Sequence, residues 1–214
     1  MTLEQLQDHF PDATPDTWHQ HCNGGGWVQN TAHVDKTAFV GEDALVFGNA
    51  QVLENAWVFG TAWVHGNAKV FGCASVSGDS WVYGNAEVSG NARVFGNVEL
   101  DGNAKVFGNA QVLDRAKVVD NAVVCDHAQV LDSAKVFGNA VVLGSAVVSG
   151  NAQVFGNVQL LDSAVVSGNA RVSGNAVVSD NAWVFGNAQV FGNSWVHGDI
   201  SVFDNATVVN KELA

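Results

Sequence analysis

Hydrophobic positions recur at every sixth residue through most of the chain. From Val28 to Val208 each sixth residue is valine, apart from Leu100 and Leu160, and the residue two positions earlier is usually alanine. Residues 46–51, Val-Phe-Gly-Asn-Ala-Gln, show the typical unit. The register never shifts, so no residue is inserted or deleted between units. A fixed short period indicates a repeat architecture in which neighbouring units bury each other's apolar faces.

Each unit is predicted to form a short β-strand followed by a corner. Alanine and valine alternate with outward residues at the period of two that a strand requires, so both face inward. The Gly-Asn pair that follows suits a corner, because glycine adopts any backbone angle and asparagine tolerates the left-handed region. Strands and corners repeated without a break predict a coil whose flat sides pair with the next coil in parallel sheets.

The corner residues indicate three units per coil. Residues eighteen positions apart then stack, and one corner becomes an unbroken asparagine column, whereas the other two are mixed and contain residues such as Thr61 and Cys73. Stacked asparagine amides hydrogen-bond along such a column. The predicted structural ladder comprises Asn49, Asn67, Asn85, Asn103, Asn121, Asn139, Asn157, Asn175 and Asn193. About ten triangular coils, each rising ~4.8 Å, predict a rod roughly 50 Å long.

Residues 1–26 lie outside the repeat and are predicted to form an N-terminal cap. Thr2 can cap a short helix that Pro11 ends. Because the end of a repeat array exposes its apolar core, four apolar residues are expected to form a plug over the first turn. They are Leu3, Leu6, Phe10 and Trp18. The solenoid is predicted over residues 27–209, with a short tail at 210–214.

The repeat resembles the left-handed parallel β-helix of the hexapeptide-repeat superfamily, whose best-known members are bacterial acyltransferases. The resemblance covers residues 27–209 and rests on the regular valine and alanine. The glycine falls one position later than in the usual phrase of that family, after a frequent phenylalanine, as in the Tyr/Phe-Gly-Asn-Ala branch. The resemblance implies an all-β fold of left-handed triangular coils.

Composition and cysteine spacing narrow the expected partners. The formal net charge is −12, which disfavours nucleic acid because its binders need a basic surface. No signal peptide or transmembrane-length apolar run is evident, so a cytoplasmic protein with no membrane partner is expected. Cys22, Cys73 and Cys125 lack the spacing of a metal site. His19-x-His21-Cys22 matches no standard zinc pattern either, so no metal is expected.

Two groups of outward apolar residues suggest binding surfaces. An aromatic surface ladder is predicted at Trp27, Trp63, Trp81 and Tyr83. A self-association interface is predicted on another side, at Val123, Cys125, Val141, Leu143, Leu161 and Val177. Contiguous exposed apolar patches commonly mark interfaces. The ladder could instead be aromatic packing near the cap, a carbohydrate platform or a docking site, and the valines could simply favour strand structure.

The residues that could perform catalysis are few and scattered. Acyltransferases of the hexapeptide superfamily use a histidine as general base beside a bound acyl donor. The repeat contains His33, His65, His127 and His197, which fall on different sides or distant coils. His65 is the weak catalytic candidate, because Trp63, Trp81 and Tyr83 would surround it.

Two classes of function therefore stay open. The first is a non-catalytic scaffold or binding protein without a cofactor, forming a homodimer or homotrimer through one side and binding a protein or carbohydrate. The second, implied by the resemblance, is an acyltransferase that uses acetyl-CoA or another acyl-CoA to modify a hydroxyl or amine of a sugar or small metabolite. The unbroken register and the dispersed histidines favour the first class, although fold alone does not settle function.

Overall fold

The computed structural model describes all 214 residues and consists of one short helix, Leu3–His9, and 33 short strands in three sheets. Sheet 1 contains, in spatial order, Trp18–Gln20, Trp27–Gln29, Leu45–Val46, Trp63–Val64, Trp81–Val82, Glu99–Leu100, Lys117–Val118, Lys135–Gly138, Gln153–Gly156, Arg171–Val172, Gln189–Phe191 and Thr207–Val209. Sheet 2 contains His33–Val34, Gln51–Val52, Lys69–Val70, Glu87–Val88, Lys105–Val106, Val123–Val124, Val141–Val142, Gln159–Leu160, Val177–Val178, Trp195–Val196 and Glu212–Leu213. Sheet 3 contains Phe39–Val40, Trp57–Val58, Ser75–Gly78, Arg93–Gly96, Gln111–Asp114, Gln129–Val130, Val147–Val148, Val165–Val166, Trp183–Val184 and Ser201–Val202.

Consecutive strands of the repeat belong to different sheets, and each pairs in parallel with the strand one coil later. Val46 is in register with Val64 in sheet 1, and Val124 with Val142 in sheet 2. The predicted all-β parallel solenoid of about ten triangular coils is therefore confirmed. The left-handed sense of the coil stays a prediction of the family resemblance.

The interior is a narrow stack of valine and alanine. A single cluster of 55 buried residues runs from Val28 to Val208. Outside this core, each strand presents one column of side chains just before its inward valine and one just after it. Because successive coils are in register, each column brings together residues eighteen positions apart.

At the corners, the structure differs from the prediction as to which residue adopts the left-handed backbone. From Gly48 onward the first corner position has positive φ, and it is occupied by glycine, at seven positions by aspartate, and otherwise by Glu54 or Asn210. The asparagine that follows does not have positive φ; Asn210 is the one asparagine that does, with φ of 49°. The corner asparagines instead bond to each other through their side chains, as Asn103 does to Asn121 at 2.9 Å.

The predicted cap packs against the side of the solenoid rather than across its end. Thr2 and Gln5 form a reciprocal capping box at the start of the helix. Buried Leu6 and Trp18 cluster with Trp27 and Leu45, and Leu3 and Phe10 pack at the edge of the same cluster. The partners from the repeat occupy outward positions of sheet 1, so the plug predicted over the first turn is wrong in its placement. The physical reason is that outward apolar side chains of the first coils of sheet 1, namely Trp27, Leu45, Phe47 and Trp63, pack with the cap residues.

The first coil is covered by backbone pairing instead. Trp18–Gln20 pairs antiparallel with Trp27–Gln29 and occupies the free edge of sheet 1. At the edge of sheet 3, the Val40 N–H donates to Asn23 and the Gly26 N–H donates to the Val40 carbonyl. These bonds satisfy strand edges that would otherwise be unpaired.

Near the other end, the stretch predicted as a tail adds one more strand. Val196 pairs with Leu213, seventeen residues later instead of eighteen, so the sequence leaves the hexapeptide register while the sheet continues. The three cysteines are free, and Cys125 is buried. No helix of the protein is long and apolar enough to cross a membrane.

Candidate functional site

The aromatic residues of sheet 1 form two parallel stacks near the N-terminal segment. The indoles of Trp63 and Trp81 have centroids 5.2 Å apart and an interplanar angle of 7°. In the neighbouring column, the imidazole of His65 lies between Phe47, at 4.6 Å, and Tyr83, at 5.1 Å, nearly parallel to both. The strand spacing of about 4.8 Å brings rings on successive coils into stacking distance.

The four residues of the predicted aromatic ladder have different exposure. Trp27 is buried beneath the N-terminal segment, and its Nε1 donates to the Met1 carbonyl at 3.1 Å. Leu45 lies on the coil between Trp27 and Trp63 and is fully buried. Trp81 is 46% exposed. The accessible platform is therefore the Trp81 indole, with Tyr83 beside it.

A polar group ends the aromatic stack at the next coil. Glu99 is in register with Trp81, and its Oε1 accepts a hydrogen bond from the Tyr83 hydroxyl at 2.6 Å. The Lys117 ammonium forms an ion pair with the other oxygen of the Glu99 carboxylate. Bonding to Lys117 and Tyr83 lowers the pKa of Glu99, against the opposing effect of burial. Burial and Glu99 together raise the pKa of Tyr83.

Two cavities flank the platform. One of about 270 Å³ is lined by Trp81, Tyr83, Asn97, Val98 and Glu99. The other, of about 330 Å³, is lined by Met1, His9, Asp43, Thr61, Trp63, Asp79 and Trp81. A flat apolar face bordered by polar groups can receive a sugar ring or a partner side chain.

His65, the catalytic candidate, is a neutral ring within a stack. Burial lowers its pKa, partly opposed by the charge of Asp101. Its side chain makes no hydrogen bond, so no second group orients it as a base. The other repeat histidines lie elsewhere: His33 in the first strand of sheet 2, His127 at a corner, and His197 beside Glu212 at 3.0 Å.

The metal-type residues are equally dispersed. His19 Nδ1 bonds to Asn30 at 2.8 Å, and His21 Nε2 bonds to the Ala38 carbonyl at 3.0 Å, while Cys22 is exposed. No group of three or more histidine, cysteine, aspartate or glutamate side chains is arranged to hold a metal ion. His21 is buried and bonded to the backbone, whereas His19 is exposed.

The residues predicted to form an interface lie together on sheet 2. Val123 and Val141 are directly paired, and Val177 follows two coils later. Cys125, Leu143 and Leu161 occupy the adjacent column. Cys125 is buried, and burial raises the pKa of its thiol. The remaining five are half-buried, and Gln159 lies in register between Val141 and Val177, so the strip is aliphatic apart from one amide side chain in its valine column.

The sequence analysis missed the more exposed apolar residues of sheet 3. Five of the nine most exposed large hydrophobic side chains belong to it: Trp57, Phe59, Phe95, Trp183 and Phe203. The eighteen-residue register was the signal that could have placed them on one side. The positions of the cavities could not be predicted from the sequence, because they depend on the volumes of individual side chains rather than on the repeat.

Comparison with known families supports the class of protein. The family model described as the YdcK beta solenoid repeat matches residues 134–150, 164–180 and 170–185. These matches, together with the three parallel sheets, define the chain as a β-solenoid repeat protein. No curated protein matches the chain significantly.

Proposed function

We propose that the protein is a non-catalytic scaffold or binding solenoid that engages partners through its flat sides. The observation that supports this proposal is the unbroken strand register. Within the repeat every coil follows the previous one without an inserted loop, so no loop of the solenoid itself projects to enclose a substrate. Solenoids of this kind commonly use their extended sides for binding.

The distribution of reactive groups favours the same proposal. A general base must reach the proton that it removes, and it is usually oriented by a further group. His65 has no such partner, and His127 bonds only to the Asn109 amide. The buried Cys125 thiol has a raised pKa, which makes it a poor nucleophile at neutral pH.

The sheet 2 strip is the proposed surface for self-association. Val123, Val141 and Val177 present short aliphatic side chains on either side of Gln159, and this largely aliphatic surface can mate with the same surface of a second copy. Such a contact would be isologous, which produces a closed dimer. A trimer requires a different pairing of sides, so the mass of the particle discriminates between the two arrangements.

The alternative function is acyl transfer from acetyl-CoA, for which His65 is the base. A lowered pKa keeps its imidazole neutral and able to accept a proton at neutral pH. The surroundings do not fit an acyl-CoA, however, whose phosphates require cations. Asp43, Asp79 and Asp101 lie near the two aromatic stacks, and Lys117 is already paired with Glu99.

Thermal unfolding and mass measurements test the two functions together. We expect the unfolding temperature to be unchanged across a panel of acetyl-CoA, succinyl-CoA and free CoA, because only a ligand of the native state raises it. Light scattering would give the mass in the same samples. A trimer that acetyl-CoA stabilises, with the effect lost in His65→Gln, would overturn the non-catalytic proposal.

A further inference from the structure

The indole of Trp81 has one covered face and one free face. Trp63 stacks on the first face, with the ring centroids 5.2 Å apart and an interplanar angle of 7°. The cavity of about 270 Å³ beside Trp81 lies on the opposite side of the ring, because Asn97 and Glu99 of the following coil line it, whereas Trp63 does not. The cavity therefore borders the free face of the indole.

The carboxylate of Glu99 is fixed as one wall of this cavity. Glu99 is in register with Trp81, one coil later. Its Oε1 accepts a hydrogen bond from the Tyr83 hydroxyl at 2.6 Å, and its Oε2 forms an ion pair with the Lys117 ammonium. The first contact lies in the neighbouring column and the second on the coil beyond, so the carboxylate is held in place from two directions.

The polar groups of the wall have unused hydrogen-bonding capacity. Each oxygen of the Glu99 carboxylate accepts one bond from the protein, whereas a carboxylate offers about four lone-pair sites. The amide of Asn97 makes no side-chain hydrogen bond, so its N–H donors and its carbonyl are both available. A purely apolar ligand would bury these groups without partners, which is unfavourable. Several hydroxyl groups on one ligand would satisfy them.

The charges around the cavity disfavour an ionic ligand. Lys117 already neutralises Glu99, so a cationic ligand would meet an ammonium beside the carboxylate. Asp79, on the same coil as Trp81, and Asp101, two residues after Glu99, form no ion pair. These two carboxylates repel an anion. The surroundings therefore favour a neutral ligand.

We propose that this cavity binds one ring of a neutral sugar. The C–H face of a pyranose stacks on the free face of Trp81, which removes apolar surface of both from water. The hydroxyl groups bond to the Asn97 amide and to the Glu99 carboxylate. An apolar wall with a few convergent polar groups is the usual composition of a small-molecule site. The inference rests on the proposed binding function and gives that function a class of ligand.

Heteronuclear NMR titration of the full chain tests the proposal. The probes are the methyl β-glycosides of D-glucose, D-galactose and D-mannose. We expect at least one of them to give saturable shifts at the Trp81 indole N–H and at the Asn97 side-chain amide. Methyl β-D-glucuronide adds a carboxylate to the same ring and should bind about tenfold more weakly. Choline, a cation of the kind that stacks on indoles, should bind no more tightly than the neutral sugars.

Three variants assign the binding to this cavity. Trp81→Leu removes the aromatic face and should abolish the sugar-induced shifts. Trp183→Leu is the matched control, because it removes an indole of similar exposure, 51% against 46%, from sheet 3, and it should leave binding unchanged. Asn97→Ala should weaken the sugar about tenfold, because a hydroxyl of the ligand loses its partner.

The proposal is wrong if none of the glycosides gives a saturable shift at Trp81, or if Trp81→Leu and Trp183→Leu lose binding equally. Tighter binding of choline or of the glucuronide than of the neutral glycosides would also overturn it. Circular dichroism melting verifies the folding of each variant. If Trp81→Leu does not fold, Asn97→Ala carries the test, and an unchanged affinity in that variant contradicts the proposal.

The result is separable from the test of the scaffold function. The titration involves neither the mass of the particle nor CoA ligands, so absence of sugar binding leaves the scaffold proposal standing. A trimer that acetyl-CoA stabilises would overturn the scaffold proposal whatever the sugar titration shows.

Discussion

The carboxylate of Asp120 accepts the backbone N–H of Gly138 at 3.0 Å, joining the corner of one coil to the corner of the next. Asp120 has φ of 62°, which lies in the left-handed region. That conformation is unfavourable in free energy for any residue that carries a Cβ atom. The same bond links Asp132 to Gly150 at 2.8 Å. Aspartate thus replaces glycine at these corners while offsetting the backbone cost with a hydrogen bond that glycine cannot make.

Replacing this aspartate should expose both effects. Asp120→Ala keeps the left-handed backbone but loses the acceptor, so we expect unfolding free energy to fall by about 1–2 kcal/mol. Asp120→Gly should cost less, because glycine relieves the backbone. Urea denaturation measures the difference. The control is Asp204, which has φ of 55° but whose carboxylate makes no bond to another coil. Asp204→Gly should therefore leave the free energy of unfolding unchanged or raise it. An equal loss of unfolding free energy in Asp120→Gly and Asp204→Gly would contradict this explanation.

The asparagine column should contribute measurable stability. Asn121 accepts from Asn103 at 2.9 Å and donates to Asn139 at 3.0 Å, so Asn121→Ala removes two bonds. We expect a loss of about 1 kcal/mol, since the bonds are exposed and compete with water. Asn97 stands at another corner without a side-chain hydrogen bond. Asn97→Ala is the control, and its unfolding midpoint in urea should be nearly unchanged.

His65 should titrate below its usual pKa. Burial lowers the pKa of this imidazole from 6.5, so the folded state binds its proton less well than the unfolded state does. The contribution of His65 to the free energy of unfolding is therefore fully present above pH 6.5. It is lost as the pH falls through 6.5 towards the lower pKa of the folded state. NMR titration of the His65 ring measures the shift. Tyr83→Ala uncovers one face and should move the pKa back towards 6.5; an unchanged value would exclude stacking as the source of burial.

Glu99 should make the solenoid less stable in acid. Its pKa is lowered from 4.5 by bonds to Lys117 and Tyr83, so its contribution is present above pH 4.5 and is lost as pH falls through the lowered value. Melting temperatures between pH 3 and pH 6 measure this slope. Glu99→Gln should flatten it in that window. Glu87 pairs with Lys105 on sheet 2, and Glu87→Gln provides a comparison at an ion pair outside the aromatic stack.

The sheet 2 strip should control the oligomeric state. Leu143→Asp places a charge in the proposed contact, and we expect the particle to dissociate to monomers while the circular dichroism spectrum stays unchanged, because burying an unpaired charge is unfavourable. Light scattering measures the mass. Leu131 is similarly half-buried on sheet 3, so Leu131→Asp should leave the mass unaltered. A mass that Leu143→Asp does not change would remove this strip as the interface.

Much of the solenoid follows from local sequence. Valine at every sixth position gives each strand one buried side chain. Glycine or aspartate at most corners adopts the left-handed backbone that turns the chain into the next strand. The uninterrupted asparagine column indicated a coil of eighteen residues, because that period stacks Asn49 on Asn67 and continues through Asn193. In the structure the amides of Asn49 and Asn67 are hydrogen-bonded at 3.2 Å. The pairings of Trp63 with Trp81 and of Val123 with Val141 follow from the same register.

The sequence by itself therefore determined the coil, its period and the members of each outward column. Only the tertiary structure decided where the N-terminal segment packs, since Phe10 could cover either the end of the core or the Phe47 and Trp63 rings. It also decided that Val196 pairs with Leu213 despite the lost register, and where cavities open on the outward faces, as beside Trp81 and Tyr83. A repeat specifies backbone register, which is periodic, whereas cavities and docked segments depend on the volumes and contacts of individual side chains, which are not.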